Sequence, residues 1–83
     1  GLACEIDLSA WTLPPVFRWL AETAGMSEPE LLKTFNCGIG MMVVVAADRA
    51  DAIEALLRAE GETVCRLGRV VPGEGVLYKG ALL

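Results

Sequence analysis

An α/β (α+β) fold, with a mixed β-sheet and helices packed on it, is what this 83-residue sequence predicts. Three observations carry the prediction. A continuous β-branched run, Met41-Met42-Val43-Val44-Val45-Ala46, has the character of a strand buried on both faces. Apolar residues recur at helical spacing on either side of it, and the last twenty residues are β-prone and broken by glycine and proline. The expected order is helix, helix, strand, helix, strand, strand.

Residues 1–13 show no strong period. Leu13-Pro14-Pro15 closes them, because a residue before proline is pushed towards extended geometry. A helix can open at the prolines, with Val16, Phe17, Leu20, Ala21 and Ala24 inside, an outer Arg18–Glu22 pair, and Gly25 as the stop. Ser27-Glu28-Pro29-Glu30 reads as a capping box that starts a short second helix through Leu31, Leu32 and Phe35. Beyond the apolar run, Asp48 is the expected cap of a third helix. Its inner face is Ala50, Ile53, Leu56 and Leu57, Glu54 and Arg58 pair outside, and Gly61 ends it. Thr63–Val71 is β-prone, with Gly68 a bulge or close-approach point. Pro72–Gly75 is a turn, and Val76-Leu77-Tyr78 is a last strand.

The composition removes several function classes. Apolar residues make up 54% of the chain, above the 45–50% usual for globular domains, and the mean hydropathy is +0.50. That excess predicts surface to be covered by further chain or by a partner. The longest apolar run, Ile39–Ala47, falls far short of the roughly 20 residues that span a bilayer. Net charge is −4, and seven scattered basic residues form no stripe for nucleic acid. Three cysteines without a CxxC pair favour neither a disulfide scaffold nor zinc, and point to a reducing compartment. With no histidine, Ser-His-Asp, Cys-His and His-ligated metal chemistry are absent from these residues.

Asn36-Cys37-Gly38-Ile39-Gly40, an amide followed by two glycines one residue apart, is the segment whose spacing calls for a physical reason. Two readings stand. It is a tight helix-to-strand turn with Gly38 left-handed, or a loop whose exposed amides face an anionic or polar ligand. It is not a dinucleotide fingerprint, which follows a strand and opens a helix. Asn36 is the only side-chain amide in the sequence and is also a natural turn former. Cys37, among apolar neighbours, reads as a buried, inert thiol. Trp11 and Trp19 read as packing anchors.

Trp11-x-x-Pro14-Pro15-Val16-Phe17-x-Trp19-Leu20, followed by Leu31-Leu32-Lys33-Thr34-Phe35-Asn36-Cys37-Gly38-Ile39-Gly40-Met41, resembles the phosphoribosylformylglycinamidine cyclo-ligases, also called aminoimidazole ribonucleotide synthetases. The similarity runs from about Asp7 to Leu83. It implies a carboxy-terminal domain, partly ferredoxin-like, in an enzyme that uses ATP and Mg²⁺ to close the imidazole ring of a nucleotide substrate. It further implies a cytoplasmic homodimer, and a separate amino-terminal ATP-binding domain as the partner of residues 1–83. Asn36, Cys37, Gly38 and Gly40 are then the substrate-binding, cleft-facing residues. No cofactor-binding, metal-binding or catalytic residue carries over onto this chain, so the chain alone is expected to be inactive. Lys33 stands where the family commonly has arginine, which keeps the charge and loses the planar fork. A non-catalytic binding or interaction domain of the same fold is the alternative. ATP-dependent amidotransferases and selenophosphate synthetases, which share the architecture, match the Asn36–Met41 string less well.

Overall fold

The computed structural model describes all 83 residues. The chain opens with a strand, β1 (Leu2–Asp7), and continues through α1 (Pro15–Ala24), α2 (Glu28–Thr34) and α3 (Ala50–Ala59). It ends with β2 (Gly68–Pro72) and β3 (Val76–Lys79). The three strands form one mixed sheet in the order β2-β1-β3, with β2 antiparallel and β3 parallel to the central β1. The α+β class and mixed sheet are therefore as the sequence predicts, while the assignment of strands differs in two places.

The first difference is β1 itself, in a region expected to lack regular structure. Cys4-Glu5-Ile6-Asp7-Leu8 alternates apolar and acidic residues with period two, the mark of a strand. The second is Met41–Ala46, expected as a buried strand. It is extended but belongs to no sheet, and Gly40–Val45 make no backbone hydrogen bond. Met41 is 83% exposed and Val44 75% exposed. Composition alone cannot produce a strand, because pairing needs a neighbour and both sides of β1 are already taken by β2 and β3.

Within the sheet, residues of β1 fix the register. Ile6 lies opposite Gly68, and a Cβ built on Gly68 would come 1.7 Å from the Glu5 carbonyl oxygen. Only glycine lets the two backbones approach this closely, so the close-approach reading of Gly68 holds. On the central strand, the Glu5 carboxylate lies 3.4 Å from Arg69 Nε of β2 and 3.5 Å from Lys79 Nζ of β3, bridging both neighbours.

The core lies at one end of the sheet. Leu8, Leu13, Ala21, Leu31, Cys37 and Leu82 are buried together, with Ile6, Trp11, Phe17, Met26, Leu32 and Phe35 packed around them. Helix α1 has its proline in the first turn and ends on left-handed Gly25 (φ 66°). The start of α2 is capped as expected, the Ser27 hydroxyl accepting the Glu30 amide at 3.4 Å. Phe17 of α1 and Phe35 after α2 meet with ring centroids 5.9 Å apart and planes tilted by 57°, a favourable aromatic geometry. Arg18 does not pair with Glu22 but donates to the Leu82 carbonyl at 2.9 Å. The Glu28 carboxylate accepts the Leu82 and Leu83 amides, each at 3.1 Å. Two charged side chains thus draw the end of the chain over the core and bury Leu82.

Trp19, expected as an anchor, is 60% exposed, since it lies on the outer side of α1. Asp48 does not cap α3. It sits inside a short 3-10 turn, Ala47–Arg49, that leads directly into the helix, and Arg49 occupies the cap position without a side-chain bond. The expected Glu54–Arg58 pair forms at 3.3 Å. The expected inner face of α3 remains outside the core, with Leu56 exposed, because α3 packs only against the turn that introduces it. Polar links hold it instead. Arg66 donates to Glu54 at 2.7 Å and to Asp51, and Arg58 donates to the Val64 carbonyl at 2.8 Å. The molecule is correspondingly open. Its radius of gyration is 14.2 Å, where a compact chain of this length has about 12 Å.

The Arg66 hydrogen bond, reinforced by Arg58, holds the Glu54 carboxyl below its ordinary range. A depressed carboxylate contributes stability that is complete above its unfolded titration, about pH 4.3 for glutamate, and is lost as pH falls through the folded value. Amide exchange in α3 should accelerate below that pH, and Arg66→Ala should accelerate it at neutral pH, while α1 and α2 keep their protection. Unchanged exchange at Ala55–Leu57 in Arg66→Ala would contradict the polar attachment of α3.

Candidate functional site

The turn that ends α2 is built by three constraints. Asn36 Oδ1 accepts the Gly38 amide at 3.0 Å, closing an Asx turn, and the Ile39 amide donates to the Asn36 carbonyl at 3.1 Å. Cys37 and Gly38 both take positive φ, 53° and 98°. A non-glycine residue in that region is strained and persists only where its surroundings hold it.

Those surroundings are visible. Cys37 is 1% exposed, seated in the core beside Leu31. Its carbonyl accepts a 3.0 Å hydrogen bond from Trp11 Nε1, twenty-six residues earlier. The Cys37 thiol lies 3.9 Å from the Leu31 carbonyl and 3.7 Å from that of Phe35. Trp11 thus does more than pack, since its indole N–H satisfies a carbonyl that the strained turn would otherwise leave without a partner. A Cβ at Gly38 would come 2.7 Å from Pro14 Cγ, so the glycine is demanded by both φ and space.

The four residues expected to face a cleft therefore divide. Asn36, Gly38 and Gly40 are exposed, while Cys37 turns into the core. Gly40 stands apart from Gly38. Its φ is not positive and nothing lies within 4 Å of a Cβ built on it, so the fold of this chain does not require glycine there.

Two surface hollows, of about 250 and 300 Å³, lie away from this turn. One is lined only by polar residues and glycine, including Glu5, Asp7, Arg66, Arg69 and Lys79. Its charges already pair with one another or with local donors. Glu5 holds Arg69 and Lys79, while Asp7 accepts the Ser9 amide at 2.9 Å and the Ser9 hydroxyl at 2.5 Å, which lowers its pKa. This grouping was hidden from sequence reasoning because β1, which carries Glu5 and Asp7, was not recognised. The other hollow lies beside α1 and Leu83. No group of three or more Cys, Asp or Glu residues is placed to hold a metal ion. Asp51 and Glu54 are both engaged by Arg66, so this pair is not free to ligate Mg²⁺. No helix is long and apolar enough to cross a membrane.

Burial raises the Cys37 pKa, and the Glu28 carboxylate adds to the effect. Since the thiolate is the reactive form, Cys37 should be alkylated last of the three cysteines in native protein, after Cys4 and Cys65, which are both half-buried. Time-resolved iodoacetamide labelling read by peptide mass spectrometry checks the order. Cys37 labelling as fast as the other two would contradict its placement in the core.

A family model described as "AIR synthase related protein, C-terminal domain" matches residues 1–79. The match takes in the whole sheet, the core helices, the Trp11-anchored turn and α3. The chain belongs to the AIR synthase related protein C-terminal domain family.

Proposed function

We propose that this chain serves as the carboxy-terminal part of a phosphoribosylformylglycinamidine cyclo-ligase, the enzyme that closes the imidazole ring of aminoimidazole ribonucleotide at the expense of ATP. Membership of the family and the Thr34-Phe35-Asn36-Cys37-Gly38-Ile39-Gly40-Met41 string support the reading. The observation that carries it is the turn after α2, which presents Asn36, Gly38 and Gly40 at the surface on a rigid base and keeps a glycine at position 40 without a reason internal to the fold. A glycine free of conformational and packing demands fits a place where another group approaches the backbone closely. In this reading the nucleotide substrate, or the amino-terminal domain that holds it, packs against Gly40. The Asn36 amide, already tied to Gly38, orients the turn.

In this reading the residues for ATP and Mg²⁺ lie in the amino-terminal domain, since no group of acidic residues here is placed to hold a metal ion and Glu5, Asp7 and Glu54 are engaged in ion pairs and local hydrogen bonds. The enzyme works in the cytoplasm as a homodimer, and residues 1–83 alone do not turn over.

The test is ATP-dependent ring closure, measured for the chain alone and for the chain joined to the amino-terminal domain. Only the joined protein should be active. In it, Gly40→Ala should lower kcat/KM at least about tenfold, equivalent to about 1.4 kcal/mol, with the unfolding midpoint unchanged. Gly38→Ala should lower the midpoint as well, through strain of about 1–3 kcal/mol. Ring closure by the chain alone, or full activity in Gly40→Ala, would overturn this reading. An inactive joined protein that folds and still binds nucleotide would favour a non-catalytic binding domain.

A further inference from the structure

Gly80–Leu83 follow β3 and lie outside every helix and strand. They make no backbone–backbone hydrogen bond, yet Leu82 is 6% exposed and belongs to the core. Ala81 and Leu83 on either side of it are exposed, so one side chain is inserted while its flanks stay in water. The polar hold comes from two helices at once. Arg18 of α1 donates to the Leu82 carbonyl at 2.9 Å, and the Glu28 carboxylate at the start of α2 accepts the Leu82 and Leu83 amides at 3.1 Å each. A segment held by one buried side chain and a few side-chain clamps, with no ladder of its own, can open without the rest of the fold. The family match stops at residue 79, so these residues lie beyond it.

The segment joins a hinge to the candidate turn. Gly80 takes φ 78° and packs against the Asp7–Ser9 bend, where an added Cβ would lie 3.3 Å from the Ser9 amide nitrogen and 3.5 Å from Asp7 Oδ1. An L-residue is strained in that conformation. Leu82 shares the core with Leu31 and with Cys37, the residue that seats the Asn36–Gly40 turn. Glu28 touches both ends of this link, since it holds the Leu82 and Leu83 amides and its charge helps to raise the Cys37 thiol pKa.

We infer that Gly80–Leu83 is a hinged strap that sets the order of the Asn36–Gly40 turn. Closed, Leu82 completes the core that seats Cys37, and the strained turn is held. Open, a swing about Gly80 withdraws Leu82, and Cys37 loses part of the surroundings that keep it in a strained conformation. Whatever favours the closed strap therefore favours the held turn, and whatever displaces Leu82 loosens it. An effect on ring closure rests on the function proposed above, whereas the coupling of strap to turn is read without turnover.

Gly80→Ala strains the closed hinge without removing any core atom, and Arg18→Ala removes a clamp from an exposed helix position. In the 83-residue chain, each should speed amide exchange at Gly38 and Ile39, and iodoacetamide labelling of Cys37, at least about fivefold. Amides within α1 and the sheet should keep their wild-type rates. Gly75→Ala is the control, because its φ of 77° gives the same strain in the turn between β2 and β3, away from the strap. Gly38, Ile39 and Cys37 should not respond to it. Wild-type rates at the turn and at Cys37 in either strap variant, an equal response to Gly75→Ala, or the same acceleration throughout α1 and the sheet would each overturn the inference.

Discussion

The hydrogen bond from Trp11 Nε1 to the Cys37 carbonyl is the interaction on which the organised half of this molecule depends. It joins the chain leaving β1 to the chain leaving α2 and lies beside the one non-glycine residue with positive φ. Without that donor, the half-buried Trp11 and fully buried Cys37 would leave a carbonyl unsatisfied at a strained turn. With it, the turn, Leu13, Leu31 and Leu82 close into a single small core. The sheet is attached to that core mainly at one end, through Ile6 and Leu8.

The rest of the chain is organised by polar contacts. Glu5 bridges the outer strands, Arg18 and Glu28 hold the last residues over the core, and Arg66 ties α3 to the chain before β2. Exposed ion pairs of this kind are individually weak and screened by salt. A gradient of rigidity follows, from the Trp11-anchored core, through the sheet, to α3 and the extended segment before it. The turn at Asn36–Gly40 lies at the boundary: Cys37 at its base is buried in the core, and its far end opens into the exposed Met41–Val45 segment.

Local signals in the sequence were sufficient wherever a neighbouring residue decides the outcome. Pro15 and Gly25 bound α1, Ser27 caps α2, Gly38 is left-handed, and Gly68 marks the closest approach of two backbones. Cys37 could be placed inside from its apolar surroundings. Long-range choices were not legible. Which strands pair depends on partners far apart in sequence, so β1 is not evident although Cys4–Leu8 alternates, and Met41–Ala46 has the composition of a strand although neither side of the central β1 is open to it. Helix α3 shows the same division. Its apolar stripe was plain, but burial of that stripe requires a surface that this arrangement does not supply. At the candidate site, the turn and its glycines were evident, whereas the Trp11 bond that fixes them spans twenty-six residues and has no local signature.

Trp11→Phe tests the dependence on that bond most directly, since it keeps an aromatic ring in place and removes the N–H donor together with the pyrrole side of the indole. Loss of the donor should lower the unfolding free energy by about 1–3 kcal/mol. It should also speed amide exchange at Gly38 and Ile39, whose donors close the turn, and leave exchange in α3 as it was. Wild-type stability together with undiminished protection at Gly38 and Ile39 would show that the turn stands without its anchor, and the central role given to Trp11 would be wrong.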